Sequence, residues 1–301
     1  MLQVFEPFLM LILLIVLGAI LYLRGLMDLD LSRRWSRVVV RVTFPAMLFI
    51  SMYKNIDWAA LQQGWVFPLV GLSTSVFLAF TAHFSGRHLG LEDKTFGTYQ
   101  ILCTNGNNIF LPVPIILSLY GPQYLVYAFL FELGAGLFYW SYGVSHFRPG
   151  PRFNLKRLVN FNMLGLLLGL VAGLGGIELP QFLVGALEIV GNITIGSAML
   201  IIGSLAAHLG KTSLRWRREV WGVIAHRLLL SPLVGMILLP FIDMPKSLQS
   251  IFMLMLSMPP LVTTALVAAN FAADEELATL GVVVPTLLSL IVVPLVLWWR
   301  S

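Results

Sequence analysis

The sequence predicts an all-α membrane protein of ten transmembrane helices, built as two inverted five-helix repeats in which helices 4 and 9 are broken and cross. Three observations predict it. The composition is too poor in charge to wet a globular surface, ten apolar stretches are long enough to span a bilayer, and helix-breaking residues fall at matching places in the two halves. Of 301 residues, 58% are apolar and 11% charged, and the mean hydropathy is +0.88. A soluble domain carries about 25% charged residues. That deficit excludes a soluble enzyme, a disordered tail and a nucleic-acid binder. The net charge of +5 lies in short gaps between apolar runs, where basic residues set the orientation of helices. The single cysteine, Cys103, excludes a disulfide framework and a cysteine-based metal site.

A bilayer core takes about 20 apolar residues per helix. Such runs fall near 5–24, 36–53, 65–83, 97–119, 123–146, 160–176, 181–207, 219–240, 247–271 and 277–299. The first is no cleaved signal: it lacks a basic start and a small-residue cleavage site, and its positive flank follows it. Alternating the spans collects Arg24, Arg33, Arg34, Arg37, Arg87, Lys94, Arg148, Arg152, Lys156, Arg157, Lys211, Arg215, Arg217 and Arg218 on one side. The opposite side has Lys54, Lys246 and Arg300. The positive-inside bias predicts the first group in the cytoplasm, both termini outside, and a multi-pass protein of the plasma membrane.

Ten spans divide into residues 1–150 and 151–301. Because five is odd, the second set enters from the opposite face, the inverted-repeat plan of many secondary transporters. Span 4 is interrupted by Thr104-Asn105-Gly106-Asn107-Asn108 and then Pro112 and Pro114, and span 9 by Ser257-Met258-Pro259-Pro260 with Thr263-Thr264 after it. Proline removes a backbone donor and clashes with the preceding turn, and asparagine and glycine are poor helix formers that accept turns. Both interruptions fall near mid-span. Freed carbonyls and amides at that depth must be buried in protein or line a wet cavity, and such a pair points to a substrate site. Lone prolines at 45, 68, 232, 285 and 294 read as kinks instead.

If the broken helices cross, two half-helix N-termini face the bilayer centre, one beginning near Pro112 and the other near Pro260. Each carries about half a positive charge and free N–H groups. The pocket then favours an anion, with Asn105, Gly106, Asn107, Asn108, Pro112, Pro259, Pro260, Thr263 and Thr264 as the candidate substrate-binding residues. Four further residues are candidates for coupling or for the cavity wall. Glu132 lies near the middle of span 5, where an ionised group is costly and must face protein or water. Glu188 and Asn192 share a face of span 7, either lining the cavity or linking helices. Arg227 lies deep in span 8 and needs a partner. Gly165, Gly169 and Gly173 follow the spacing that lets another helix approach closely, within the chain or across a dimer contact. No metal site, cofactor motif or enzyme signature is present: HExxH, GxSxG and the P-loop are all missing.

The run Asn105 to Pro112, closing through Ile115-Ile116-Leu117-Ser118-Leu119-Tyr120-Gly121, resembles the fourth-span signature of the auxin efflux carrier family, and the resemblance covers nearly the whole chain. It extends through Gly191-Asn192, Met199-Leu200 and Gly203, then Met258-Pro259, Asn270-Phe271, Asp274, Leu277-Ala278 and Thr286 to Leu290 before Pro294. The chain departs from the family at Asn107 and Phe110, where small residues are usual, and at Asn160-Phe161, where Asn-Pro is usual. It also lacks the long central loop of the plant carriers. The resemblance implies a permease that moves a small organic anion, a carboxylate such as a dicarboxylate or an auxin-like acid, by elevator-type alternating access. It also implies a scaffold of spans 1, 2, 6 and 7, a moving bundle of spans 3–5 and 8–10, and a homodimer in the lipid bilayer. A sodium-coupled symporter of the bile-acid type and an anion channel are the alternatives.

Overall fold

The computed structural model describes residues 2–146, 155–211, 217–262, 264–265, 268 and 273–300. They form helices throughout, with no named strand among the described residues. Five helices are long and apolar enough to cross a membrane: Leu29–Asn55, Trp58–His88, Gln181–His208, Arg218–Phe241 and Glu275–Trp298. Leu9–Leu23, Phe161–Leu174 and Lys246–Leu256 are apolar but shorter. These five long helices coincide with five of the ten expected spans. Two stretches are interrupted, and the helix beginning at Phe161 is 14 residues, about 21 Å at 1.5 Å per residue.

Sequence explains where each helix starts and stops. The first, α1 (Leu2–Leu23), turns at Gly25, whose φ of 74° lies in the left-handed region that glycine occupies freely. Asp28 then caps α2 (Leu29–Val38), its carboxylate accepting from the Leu31 amide. A π-helical turn at Val39–Thr43 joins α2 to α3 (Phe44–Asn55) and absorbs the donor that Pro45 cannot supply. After α4 (Trp58–Gly64) and α5 (Val66–His88) come α6 (Asp93–Thr104), α7 (Pro112–Leu119) and α8 (Leu125–Ser141). Asn160 caps α9 (Phe161–Leu174), accepting from the amides of Asn162 and Met163, so phenylalanine at 161 leaves the helix start intact. Next is α10 (Gln181–Lys211). A second π turn, Ala225–Leu230, links α11 (Arg218–Ile224) to α12 (Ser231–Leu238) just ahead of Pro232. The chain ends with α13 (Lys246–Leu256) and α14 (Glu275–Arg300).

Pro45 and Pro232 thus sit beside helix distortions, as kink prolines should, and Pro285 and Pro294 lie inside α14. Pro68 differs. It occupies the first turn of α5, where an N–H would have no helical partner in any case.

Glycines set the helix pairs, because small residues let backbones approach where no hydrophobic effect drives helices together. Gly18 of α1 packs on the Leu200 carbonyl of α10, and Gly203 of α10 on the Ile15 carbonyl of α1. Gly71 and Gly134 make the same reciprocal contact between α5 and α8, against the Phe131 and Pro68 carbonyls. The stripe Gly165, Gly169 and Gly173 of α9 receives the Pro45, Phe49 and Tyr53 carbonyls of α3. That stripe is occupied within the chain, so an intermolecular contact would have to use another surface.

Candidate functional site at two interrupted helices

Helix α6 is buried along its last nine residues, and α13 along its last six. Both end inside the protein, as irregular backbone at membrane depth requires. Asn105 leaves α6 in an extended conformation, φ −104° and ψ 120°. The two unwound segments then meet. Gly106 and Pro260 form an antiparallel bridge; the Asn107 amide donates to the Pro259 carbonyl at 2.7 Å, and the Leu261 amide to the Asn105 carbonyl at 2.9 Å. The prolines have no N–H, so the pairing runs through the two amides the bridge needs and leaves the proline positions without an orphan donor. Beyond the crossing, α7 starts at Pro112, pre-set for a first helical turn. On the other side the chain is helical again at Thr264 and Ala265.

The side chains complete the site. Asn107, fully buried, accepts from the Phe110 amide through Oδ1 at 3.1 Å, while its Nδ2 has no partner. The buried Thr264 hydroxyl is likewise unpartnered, as is Oδ1 of Asn105. Asn108 donates through Nδ2 to Oε2 of Glu132 at 2.9 Å. These two line a cavity of about 40 Å³ with Asn162, Phe110 and Leu261, large enough for water but not for an organic molecule. Arg227, 4% exposed, comes from the π turn between α11 and α12. Its Nε and Nη2 donate to the Met258 carbonyl at 3.1 and 2.7 Å, and Nη1 donates to the Thr104 carbonyl at 3.3 Å. A Cβ at Gly106 would collide with Nη2, so glycine there is what admits the guanidinium.

Of the sequence candidates, Asn105, Gly106, Asn107, Asn108, Pro259, Pro260, Glu132 and Arg227 are therefore brought together, with Pro112 starting the helix that follows. Thr264 lies on the far side of the span 9 break, and Thr263 lies outside the described residues. Glu188 and Asn192 stand apart. Glu188 pairs with Lys54 of α3, both half-exposed, and so links α10 to α3; Asn192 is exposed. Spacing put them correctly on one face of a helix, but that face looks away from the crossing.

Asp274, noted in the sequence only as part of a family motif, organises one end of the bundle. Its carboxylate caps α14 by accepting from the Leu277 amide at 3.0 Å and accepts from the Thr95 hydroxyl at 2.7 Å. Nη1 of Arg217 donates to both its oxygens, at 3.0 and 2.9 Å. Burial alone would raise its pKa; the Thr95, Leu277 and Arg217 contacts outweigh burial and hold the carboxyl below its ordinary value. A depressed carboxyl stabilises the fold above the unfolded pKa of about 3.9 and loses that contribution as pH falls through the lower folded value. Thermal unfolding between pH 6 and pH 2.5 should therefore fall less steeply for Asp274→Asn than for wild type, and parallel slopes would refute the assignment.

Comparison with known proteins agrees with the helical architecture. A family model described as a membrane transport protein matches residues 3–152 and 147–297. An uncharacterised transporter of Methanothermobacter thermautotrophicus is 29% identical over 296 residues, 96% of either chain. One from Methanocaldococcus jannaschii is 23% identical over 301 residues, again 96% of each. The chain belongs to the membrane transport protein family, in keeping with the auxin efflux carriers that its sequence resembles, and is a multi-pass membrane transporter rather than an enzyme.

Proposed function

We propose that the protein carries a small organic anion, a carboxylate, across the plasma membrane, bound where the two broken helices cross. The observation that carries this reading is the charge balance of the crossing. The C-terminal ends of α6 and α13 carry partial negative charge, and a buried guanidinium sits on both. With that charge matched, the two helix ends no longer call for a cation as ligand. The unpartnered donors, Asn107 Nδ2 and the Thr264 hydroxyl, suit a carboxylate as well.

The cavity is too small for such a substrate, so binding requires the crossing to move relative to its surroundings. The packing supports an elevator with inverted repeats. A two-fold that exchanges spans 1 and 6, and 2 and 7, turns the α1–α10 pair into the α9–α3 pair, and both pairs are glycine-packed. These four helices make the frame, and the helices around the crossing make the carriage. The basic residues on alternate connections put both termini outside.

The test is a thermal-shift and counterflow screen of mono- and dicarboxylates on the purified protein. At least one carboxylate should raise the melting temperature saturably and show accelerated exchange in proteoliposomes. Asn107→Ala should weaken its binding about 10- to 100-fold, the value of a hydrogen bond to a charged group. Stabilisation and exchange by organic cations, with none by carboxylates, would overturn the reading. Conduction without saturation or counterflow would make the protein a channel.

A further inference from the structure

Arg227 differs from every other charged residue at the crossing in the nature of its partners. None of the ion pairs among the described residues includes it. Its hydrogen bonds go to the main-chain carbonyls of Thr104 and Met258. Thr104 is the last residue of α6, and Met258 follows the residue that caps α13. A helix C-terminus carries about half a negative charge, so two of them converging present about one. A single guanidinium matches that sum. Its planar fork of donors reaches two carbonyls at once, which an ammonium serves less well. The bridge between the breaks takes up two more carbonyls, those of Asn105 and Pro259. All four carbonyls that face one another at the crossing, of Thr104, Asn105, Met258 and Pro259, thus already have a donor from within the chain.

We propose that Arg227 is the resident cation of the crossing: a positioning residue that holds the two broken helices together in the place a mobile coupling cation would occupy, and so makes the carrier independent of sodium. The location of the charge stands on geometry alone, whereas independence from a coupling ion rests on the transport reading above. Gly106 belongs to the same device, because a side chain there would fill the space of the guanidinium.

The experiment compares melting of the full-length protein in sodium chloride and in choline chloride at equal ionic strength. Wild type should melt at the same temperature in both. Arg227→Met, which keeps the stem and removes the charge, should melt lower in choline. It should recover at least half of the loss in sodium or in dilute guanidinium, small cations able to re-enter between the two carbonyls. Arg227→Lys should fold and remain indifferent to sodium, which keeps the proposal testable if the Met variant cannot be purified. A sodium-dependent rise in wild type or in Arg227→Lys, or a Met variant as stable as wild type in choline, would overturn it. Melting needs no substrate, so failure of the carboxylate screen would leave this result standing. In proteoliposomes, exchange by wild type should change less than twofold when sodium replaces choline; a tenfold rise would also overturn the proposal.

Discussion

Replacing Gly106 with alanine is expected to destabilise the protein by about 3–5 kcal/mol, the cost of leaving a buried charge without its partners, and to abolish transport. The added Cβ would meet Nη2 of Arg227 and lie 2.8 Å from Oδ1 of Asn108. The end of an arginine side chain normally swings aside at little cost. This one is fixed by three hydrogen bonds to two carbonyls, and it is buried. Moving it strips the ends of α6 and α13 of their counter-charge and loosens the bridge between Gly106 and Pro260. Gly185 is the control, since a Cβ there meets nothing within 4 Å, and alanine should be neutral or slightly stabilising in the helix. Thermal unfolding of the two variants beside wild type decides the matter. A Gly106→Ala protein as stable as the Gly185→Ala control would mean that the guanidinium is free to leave and that the crossing does not depend on it.

What could be read from the sequence at the crossing, and what could not, follows from the range of the interactions. The breaks at Asn105–Asn108 and Pro259–Pro260 are local properties: those residue types cannot continue a helix, wherever the chain goes next. Their pairing was legible because the two interruptions fall at corresponding places in the first and second halves of the sequence. Arg227 was visible as a charge in want of a partner, but its partners are backbone carbonyls 31 and 123 residues away, and a carbonyl leaves no mark in the sequence. The glycine stripe of α9 announced a close approach without saying to what, since spacing describes one surface and the occupant is set by the fold. Glu188 and Asn192 left two readings open for the same reason: a shared helical face is a statement about rotation within one helix, and which way the face points depends on the neighbours; of the two, Glu188 takes the linking one, through Lys54 of α3. The end of α9 was nearly legible: the sequence places the sixth span at 160–176, and the helix stops at Leu174, with Gly175 as its cap and Gly176, at φ 61°, turning the chain away.

Substituting Glu132 with glutamine should tighten the binding of a carboxylate. The carboxyl sits on α8 and faces the small cavity beside the crossing, with the Asn108 amide as its hydrogen-bond donor, and no ion pair among the described residues includes it. The asparagine amides of 108 and 162 and the Tyr139 ring share that cavity, so no side-chain cation lining it offsets the charge when Glu132 ionises. An anionic ligand would then meet a like charge. At a separation of about 6 Å and an effective dielectric near 20, the repulsion is about 3 kcal/mol, on the order of a hundredfold in affinity. An ionised carboxylate at 132 therefore lowers the affinity for an anion. Glutamine keeps the acceptor for Asn108 and carries no charge, so Glu132→Gln should bind a transported carboxylate more tightly than wild type, by up to about a hundredfold. Measuring the dissociation constant for both proteins at pH 6, 7 and 8.5 separates the outcomes. Equal affinities throughout would mean that the ligand does not meet the charge of Glu132. Binding weakened at every pH would mean that the carboxylate itself is required, which is the behaviour of a cation site and would count against an anionic substrate.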